Sequence, residues 1–427
     1  MKYLTLLALA IVLFSCDTSK TEEQTSDIIK LPTTFHAGYG NFEVGFGFVN
    51  SDAPDTSSMW FKTRVPLTGI PTDWEDTYTD QIWFNSSQFA YQNYTQGNFD
   101  SAQFHKLVKG WNIDVDDPDL SEKPIKCFTH IVVNNSSPTK EFIIDSNGNR
   151  DFSDDEIHTP PSINWEELDS TIMSSAVYAD YEYKKAGKIE TQQVPLVIIK
   201  PEKEDYLLIN TALYLTAEYQ NQPINIDFGF YNLVFESCDL KLPNQTKESS
   251  PISMNQFVTI GENLYKNLGI DSETRELTLQ KMPKDTFLTS TQVGFQAIPF
   301  EENTFITDHK VSLDKYKGKY LYIEFWGTWC GPCMNELPNL IDAYASIDTS
   351  KAAFLGVALD DSSKLHATIK DKQIAWDQVL KENEEDIIED YSIEGYPTSF
   401  LIDPNGKIIA QELRGSNLAD TLNYFIN

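Results

Sequence analysis

The stretch Phe325-Trp326-Gly327-Thr328-Trp329-Cys330-Gly331-Pro332-Cys333 contains two cysteines with two residues between them. It lies between an apolar run and a segment with helical periodicity. The run Lys319–Trp326 predicts a buried central strand, and the periodicity predicts a helix from about 332 to 347. A helix N-terminus stabilises negative charge, so a thiolate at Cys330 is favoured there. The spacing also brings Cys333 within reach of a mixed disulfide formed at Cys330. These features predict a redox-active Cys330–Cys333 disulfide.

The residues around this motif favour redox chemistry over metal binding. Pro332 suits the first turn of a helix, where its missing N–H costs no hydrogen bond. A structural zinc site needs two more ligands at matching spacing, and the sequence has none. A thiol peroxidase would use a lone peroxidatic cysteine in a Pro/Thr-rich loop, and no such loop precedes Cys330. We therefore expect no cofactor for the redox chemistry itself.

The residues from 291 to 427 alternate between strand-like and helix-like segments, which predicts an α/β domain. Beyond the first strand and helix, the expected elements are a strand at Ala353–Leu359, a helix at Ser363–Lys372, a hairpin of Thr398–Asp403 with Lys407–Glu412, and a final helix at Asn417–Phe425.

This C-terminal third resembles the TlpA/ResA branch of the thioredoxin superfamily, which consists of membrane-anchored thiol–disulfide oxidoreductases. The blocks that carry the resemblance occur in the family's order and spacing. They are Ala297-Ile298-Pro299-Phe300, the stretch from Phe325 to Cys333, Glu336-Leu337-Pro338, Gly395-Tyr396-Pro397-Thr398-Ser399-Phe400, and Leu401-Ile402-Asp403 with Gly406. The resemblance implies a thioredoxin fold and disulfide exchange at the two cysteines.

The same resemblance implies a cis peptide at Tyr396–Pro397 that faces the cysteines and pairs with the substrate's backbone. An ordinary trans proline is the alternative. The side chains expected around the active site are Trp329, Gly331, Pro332, Tyr396 and Thr398.

Two acids are candidates for moving the proton of Cys333. Glu324 precedes Cys330 by six residues and matches the buried acid of thioredoxin, whereas Glu336 lies one helical turn after Cys333 and matches the active-site acid of the ResA type. A carboxyl group in an apolar pocket has a raised pKa and can exchange protons near neutral pH. We expect Glu336 to act, with Glu324 as the alternative. The plainer interpretation is that Glu324 is exposed at a sheet edge and that Glu336 is solvated on the helix.

The start of the chain is typical of a secretory signal. Lys2 precedes an apolar run that is too short to span a bilayer, and polar sequence follows at once. The run ends in Leu13-Phe14-Ser15-Cys16, which resembles a lipobox. We therefore predict a signal peptide over residues 1–16 with lipidation at Cys16, and a flexible tether over 17–30. The alternative is an ordinary cleaved signal with a chance cysteine.

The middle of the chain predicts antiparallel sheets. Short alternating runs are broken by Gly, Pro, Asn and Asp, which favours one or two sandwiches over residues 31–245. Residues 246–290 are expected to extend this β-rich region or to link it to the last domain. The predicted fold is therefore multidomain, with a sandwich-like region followed by a thioredoxin fold.

The loop from 145 to 156 has the spacing of a calcium-binding loop. Its oxygen-bearing side chains stand at the usual positions, although Arg150 occupies the place where such loops have glycine. The candidate ligands are Asp145, Asn147, Asn149, Asp151 and Glu156. The alternative is a polar turn between strands.

Cys127 and Cys238 lie in strand-like surroundings, and an oxidising compartment would favour a disulfide between them. The alternatives are reduced, buried thiols and a redox-active role. The formal charge of −31, from 64 acidic and 33 basic residues, disfavours nucleic acid as a partner.

The sequence predicts a lipid-anchored disulfide reductase of the cell envelope, outside the cytoplasm. The resemblance implies disulfide-containing envelope proteins as substrates, apocytochromes among them, and a transmembrane thiol carrier as electron donor. The alternative is an envelope binding lipoprotein whose β-rich region carries the main function, with an accessory redox domain.

Overall fold

The structure is a computed structural model that describes residues 28–50, 57–164, 170–227, 229, 233, 238–271, 273–284, 287–383, 386–393, 395–416 and 418–426. The predicted signal peptide, Cys16 and most of the tether lie outside these residues. Within the described part of the chain, no helix has the length and apolar character needed to cross a membrane.

The N-terminal region contains the following strands and helices. They are β1 (Ile28–Ala37), β2 (Gly47–Val49), β3 (Thr77–Trp83), α1 (Ser86–Thr95), α2 (Ser101–Gly110), β4 (Phe128–Asn134), β5 (Phe142–Ile144), β6 (Ser162–Ile163), β7 (Val177–Lys185), β8 (Lys188–Pro201), β9 (Leu207–Thr211), β10 (Leu213–Tyr219), β11 (Gln222–Asp227), β12 (Asp239–Lys241), β13 (Phe257–Ile260), β14 (Asn263–Ile270) and β15 (Glu276–Lys281).

These strands form a sandwich-like region, as the sequence predicted. In the described residues a seven-stranded sheet has the order β12-β11-β10-β1-β15-β14-β13, and a five-stranded and a three-stranded sheet cover it. One apolar core joins the three sheets, with Leu277 on the first, Leu196 on the second and Ile131 on the third. Strands such as β10 alternate buried and partly exposed side chains, as expected when one face packs on a core.

The first and last strands of this region are neighbours. β1 pairs antiparallel with β15, so that Leu31 lies opposite Leu277 in the middle of the seven-stranded sheet. Residues 257–281 therefore belong to the same sheet as the first described residues, and the thioredoxin-like domain follows directly after β15.

Helices α1 and α2 were not found by the sequence analysis, which expected only strands here. Each helix nevertheless begins at a recognisable cap. The Asn85 side chain accepts a hydrogen bond from the N–H of Gln88, and Asp100 forms a capping box with Gln103. The two helices cover a cluster of aromatic side chains in which Trp60 stacks on Trp111.

The predicted Cys127–Cys238 disulfide is wrong, because both thiols are free and buried. Cys127 packs in the core under α1 and α2, beside Phe89 and Leu107. Cys238 belongs instead to the sandwich core. Each cysteine directly precedes a strand, β4 for Cys127 and β12 for Cys238. The two cysteines nevertheless belong to different cores.

The C-terminal domain has the predicted alternation of strands and helices. Its elements are β16 (Glu301–Asn303), β17 (Lys310–Ser312), β18 (Tyr320–Trp326), α3 (Gly331–Ser346), β19 (Ala352–Leu359), α4 (Ser362–Lys372), β20 (Asp377–Lys381), α5 (Ile387–Asp390), β21 (Thr398–Ile402), β22 (Ile408–Gln411) and α6 (Leu418–Ile426).

The central sheet of this domain has the order β20-β19-β18-β21-β22. β18 is parallel to β19 and antiparallel to β21. Its residues from Leu321 to Trp326 are all buried, and Glu324 is the one charged residue among them. Leu321, Ile323 and Phe325 point into one core. Tyr322 and Trp326 point into the other, which also contains α3 and the two cysteines.

Candidate active site

Cys330 and Cys333 lie where β18 ends and α3 begins. They form a disulfide with an S–S distance of 2.04 Å, and they are only 5% and 2% exposed. Cys330 is the N-cap residue of α3, and its sulfur accepts a hydrogen bond of 3.1 Å from the N–H of Cys333. A helix N-terminus and a direct N–H donor both stabilise negative charge on this sulfur.

The residues between the cysteines suit this position. Pro332 stands in the first turn of α3, as predicted, and a side chain added at Gly331 would meet nothing within 4 Å. Both residues are exposed, so the approach to Cys330 from this side is open. The motif therefore combines a buried disulfide with an accessible rim.

Trp329 forms that rim. Its side chain is 58% exposed, yet the indole N–H donates to the Leu359 carbonyl at 2.7 Å. A Cβ at Gly327 would lie 2.5 Å from the Trp329 Nε1 and 2.9 Å from the Leu359 oxygen, so only glycine fits beneath the ring. The ring also packs edge-on against Tyr396, with centroids 5.4 Å apart.

The loop before β21 forms the opposite wall of the site. The Tyr396–Pro397 peptide is cis, as the resemblance implied. The Tyr396 carbonyl oxygen lies 3.4 Å from the Cys330 sulfur, so this loop faces the disulfide. The Thr398 hydroxyl donates to the Gly395 carbonyl at 2.8 Å and closes the loop. Arg414 donates to the Pro397 carbonyl and pairs with Glu412.

Glu324 lies behind the disulfide and is buried, with 3% of its surface exposed. Side chains alternate along a strand, so Glu324 points to the same face of β18 as Tyr322 and Trp326, which pack with the cysteines. The Tyr322 hydroxyl donates to the Glu324 carboxyl at 2.7 Å. Burial raises the pKa of Glu324 to about 8, although Tyr322 and Arg414 oppose the shift.

Glu336 is also buried, at 9% exposure, on α3. Its carboxylate accepts hydrogen bonds from the backbone N–H of Gly415 at 2.8 Å and from the Asn339 amide at 3.1 Å. Its negative charge contributes to the raised pKa of Glu324. The plainer interpretation, with Glu324 exposed at a sheet edge and Glu336 solvated, is therefore wrong, because both acids are buried and Glu324 lies on the central strand.

Sequence reasoning missed two residues of this site. Tyr322 stands two positions before Glu324, and strand alternation would have placed the two side chains on one face. Arg414 follows the hairpin, donates to the Pro397 carbonyl and lowers the pKa of Glu324 through its charge, but only the folded chain brings these segments together. No local pattern in the sequence marks Arg414.

The predicted calcium loop lies far from this site in sequence, and hydrogen bonds within the loop engage its oxygens. Asp145 accepts from the N–H groups of Asn149 and Arg150, and Asn147, Asn149 and Asp151 each accept from the N–H two residues further on. No group of three or more His, Cys, Asp or Glu side chains that could hold a metal occurs among the described residues. This arrangement is the one expected of the alternative, a polar turn. Calcium binding, at these residues or with Glu156, stays a prediction that a Ca²⁺ titration tests.

Similarity to known proteins agrees with the geometry of the site. The thiol–disulfide oxidoreductase ResA of Bacillus thuringiensis subsp. konkukian is 30% identical over 128 residues, which cover 29% of this chain and 73% of that protein. This chain belongs to the ResA-type thiol–disulfide oxidoreductases. The ResA of Bacillus subtilis is 30% identical over 101 residues, with 23% of this chain and 56% of that protein covered. The model of the AhpC/TSA family matches residues 293–411 of this ResA-type chain.

Two solved structures are similar to the same ResA-type domain. The thioredoxin domain of a thiol–disulfide oxidoreductase from Bacteroides vulgatus is 33% identical and covers 32% of this chain and 99% of its own, with a TM-score of 0.30. A thiol:disulfide interchange protein from a Bacteroides species is 34% identical and covers 32% of this chain and 91% of its own, also with a TM-score of 0.30.

Proposed function

We propose that this thiol–disulfide oxidoreductase works as a reductase of disulfides in cell-envelope proteins, outside the cytoplasm, and that a lipid at Cys16 anchors it to the membrane. The observation that carries the direction of attack is the position of Cys330 at the N-terminus of α3. Its sulfur accepts the Cys333 N–H and faces the Tyr396 carbonyl at the open rim of the site.

The reaction follows from this geometry. In the reduced protein, the Cys330 thiolate attacks one sulfur of a substrate disulfide; a mixed disulfide forms and the other substrate sulfur leaves as a thiolate. Cys333 then loses its proton and attacks the Cys330 sulfur. The second substrate thiolate leaves, the Cys330–Cys333 disulfide is restored, and two electrons have passed to the substrate.

Glu324 is the group that takes the proton of Cys333 in this proposal. Sequence analysis favoured Glu336, but the Glu336 carboxylate is occupied by the Gly415 N–H and the Asn339 amide. The pKa of Glu324, raised to about 8 by burial, suits a group that exchanges protons near neutral pH. Glu336 instead accepts the backbone N–H of Gly415, in the segment after the hairpin, and contributes to the raised pKa of Glu324.

The partners remain those that the family implies. A transmembrane thiol carrier would supply the electrons, and disulfide-containing envelope proteins, such as apocytochromes before haem attachment, would receive them. The Gly331-Pro332 dipeptide supports the reducing direction, because reducing thioredoxins have the same residues between their cysteines.

The reduction potential of the Cys330/Cys333 pair tests the direction. Protein that lacks residues 1–16 is equilibrated against glutathione buffers, and the dithiol fraction is measured. A value near that of thioredoxin, about −270 mV, supports the reductase. A value near that of the strong oxidants, about −120 mV, contradicts it and makes the protein a disulfide donor.

A second candidate function, ligand binding by the β-rich region, is favoured by a polar cavity of about 340 Å³ in that region. The cavity is lined by charged and polar side chains that include His130, Asp145, Lys126 and Glu182. A Cys330→Ser strain distinguishes the two functions. If binding is the main role, this strain keeps most of the phenotype that deletion of the whole protein removes.

A further inference from the structure

A polar cleft of about 600 Å³ lies between the sandwich-like region and the thioredoxin-like domain. Its lining comes from both regions and from the segment that joins them. Ser253, Asn255 and Gln256 line the sandwich side, Thr291 belongs to the joining segment, and Ser392 and Thr398 line the thioredoxin side. Hydroxyl and amide groups are the commonest polar groups of the walls, which also include the charged side chains of Asp239, Lys266 and Asp390.

The cleft opens beside the active site. Gly395 and Thr398 line it, and these two residues flank the Tyr396–Pro397 peptide that faces Cys330. A Cβ at Gly395 would meet nothing within 4 Å, so the cleft is open at the point where it reaches the loop. A chain lying in the cleft would thus contact the loop that faces the attacking sulfur.

The sandwich wall of the cleft is firmly held. Asn267 is fully buried, and its side-chain amide donates to the carbonyls of Cys238 and Ile252. The backbone of Asn267 also exchanges hydrogen bonds with the loop, accepting from the Asn255 N–H and donating to the Gln256 carbonyl, both at 2.8 Å. Asn255 thereby presents an exposed side chain from a fixed backbone.

The two walls are also held relative to each other. The Gln292 side chain accepts from the Phe257 N–H at 2.7 Å and donates to the Phe257 carbonyl at 2.9 Å. Phe295 stacks on the Phe257 ring with centroids 5.1 Å apart. On the other side, Phe295 accepts from the N–H of Ile408 in β22. One short segment therefore clamps the edge strand β13 to the thioredoxin-like domain.

The chemistry of the walls selects the occupant. An extended polypeptide presents an N–H and a carbonyl at every residue, and amide and hydroxyl groups can pair with them. An apolar ligand would instead leave these groups unpaired at a cost. The Cys238 thiol also belongs to this wall, but it is buried and its pKa is raised by burial, so it is not a second nucleophile.

We infer that this cleft binds the polypeptide segment next to the substrate's disulfide, so that the sandwich-like region selects extended or unfolded protein substrates for Cys330. The inference rests on the proposed disulfide exchange at Cys330 and adds the class of substrate. It also gives the β-rich region a part in the reaction.

The test measures only the first exchange step, which does not depend on whether the protein is a reductase or an oxidant in the cell. In a Cys333→Ser background, Cys330 attacks insulin or oxidised glutathione; one sulfur leaves as a thiolate and the mixed disulfide accumulates. The rate constants for the two probes are compared in the whole purified protein. Insulin has polypeptide on both sides of its disulfides, whereas glutathione is too small to fill the cleft.

Asn255→Trp fills the cleft, and Asn221→Trp is its matched control. Both asparagines are exposed and have left-handed backbones, with φ of 65° and 60°, so the two substitutions carry similar strain. Asn221 lies in the β10–β11 turn, close to Gly261 at the far end of β13. We expect Asn255→Trp to lower the ratio of the insulin rate to the glutathione rate by at least about fivefold, and Asn221→Trp to leave that ratio as it is.

An equal ratio in Asn255→Trp and in the parent protein overturns the inference. It is also overturned if both tryptophan variants lower the ratio alike, or if the parent reacts with glutathione but not with insulin. The reduction potential of the Cys330/Cys333 pair is measured separately. A potential near that of the strong oxidants contradicts the reductase, whereas an unchanged rate ratio contradicts peptide binding in the cleft, so the two failures are distinguishable.

Discussion

The N-terminus of α3 and the cores of the β-rich region each contain two buried cysteines, yet the surroundings of the two pairs differ. Cys330 accepts an N–H hydrogen bond at a helix end and has a raised-pKa carboxyl, Glu324, on the same side of the sheet. Cys127 and Cys238 are surrounded by apolar side chains, and burial raises the pKa of both thiols.

Burial alone therefore does not decide how a cysteine behaves. All four cysteines are buried, but at one site a helix N-terminus and a backbone N–H stabilise negative charge on the sulfur, and a carboxyl group with a raised pKa lies on the same face of the sheet. In the other cores the desolvation of charge outweighs the hydrogen bonds that reach the thiols. Reactivity belongs to the surroundings of the thiol, and the following predictions test that statement.

The largest expected effect is the loss of exchange on replacing the attacking sulfur. Cys330→Ser should abolish insulin reduction, a loss of at least about 1,000-fold, because the Cys330 sulfur is the proposed nucleophile and serine cannot form a disulfide. Cys127→Ala should keep the activity and lower the free energy of unfolding by about 1 kcal/mol, because it leaves a small cavity. Insulin turbidity and urea unfolding provide the two measurements. Insulin reduction by Cys330→Ser would contradict the conclusion that Cys330 is the reactive cysteine and that Cys127 and Cys238 are not.

Removal of the proton acceptor is expected to have the next largest effect. Glu324→Gln should slow the attack of Cys333 on the mixed disulfide by about 100-fold at pH 8, because the proton of Cys333 loses its acceptor. In the wild type this rate should rise with pH up to about 8, where Glu324 loses its proton, and the variant should lack that rise. Single-turnover kinetics of a preformed mixed disulfide measure the rate.

Glu336→Gln is the matched control, because glutamine keeps an oxygen for the Gly415 N–H. We expect less than about a threefold change in the same rate. A larger loss in Glu336→Gln than in Glu324→Gln would return the role of proton acceptor to Glu336, as the sequence analysis expected.

The same Glu324→Gln variant should be more stable than the wild type at neutral pH. The carboxyl group keeps its proton in the folded state up to about pH 8 but loses it near pH 4.5 when unfolded. Stability from this group is therefore full below pH 4.5 and falls as the pH rises towards 8. Glutamine removes this fall, which amounts to up to about 3 kcal/mol at pH 7. Urea unfolding at several pH values gives the difference, which should vanish in acid.

A smaller effect is expected at Arg414. Its positive charge lowers the pKa of Glu324, and its guanidinium donates to the Pro397 carbonyl. Arg414→Gln should move the midpoint of the pH–rate profile to higher pH and lower the rate a few-fold at pH 7. Lys407→Gln removes a charge of the same sign elsewhere on the domain and should leave the midpoint in place. An unchanged midpoint in Arg414→Gln would show that Arg414 does not influence the proton transfer.

The smallest expected effect is at the junction of the two regions. Gln292→Ala removes both hydrogen bonds to Phe257 and should lower the free energy of unfolding by about 1–2 kcal/mol. Val293→Ala, at an exposed neighbouring position, should change it by less than about 0.5 kcal/mol. Amide exchange at Phe257 should become faster only in Gln292→Ala. Equal behaviour of the two variants would mean that the regions are not held by this clamp.

The C-terminal domain could be predicted closely because its signals are local. The apolar run of β18, the cysteine spacing and Pro332 together predict a central strand, an active site and a helix that begins at Gly331, one residue from the expected start. The β-rich region was predicted only as a class. Helices α1 and α2 were missed, because their apolar positions are few and strands surround them, although Asn85 and Asp100 are recognisable caps.

The chemistry of this protein is already specified by its local sequence, since the spacing of Cys330 and Cys333 and the residues between them predict a disulfide at a helix N-terminus. Which of the two candidate acids has a raised pKa, and which one accepts a hydrogen bond from a distant segment, depends on the tertiary structure. Strand alternation and burial bring Glu324 to the cysteine face with a raised pKa, whereas the Gly415 N–H, distant in sequence, occupies Glu336. The tertiary structure also decides that Cys127 and Cys238 form no disulfide, because packing places them in different cores. It likewise forms the cleft beside Gly395, whose lining residues lie far apart in the chain.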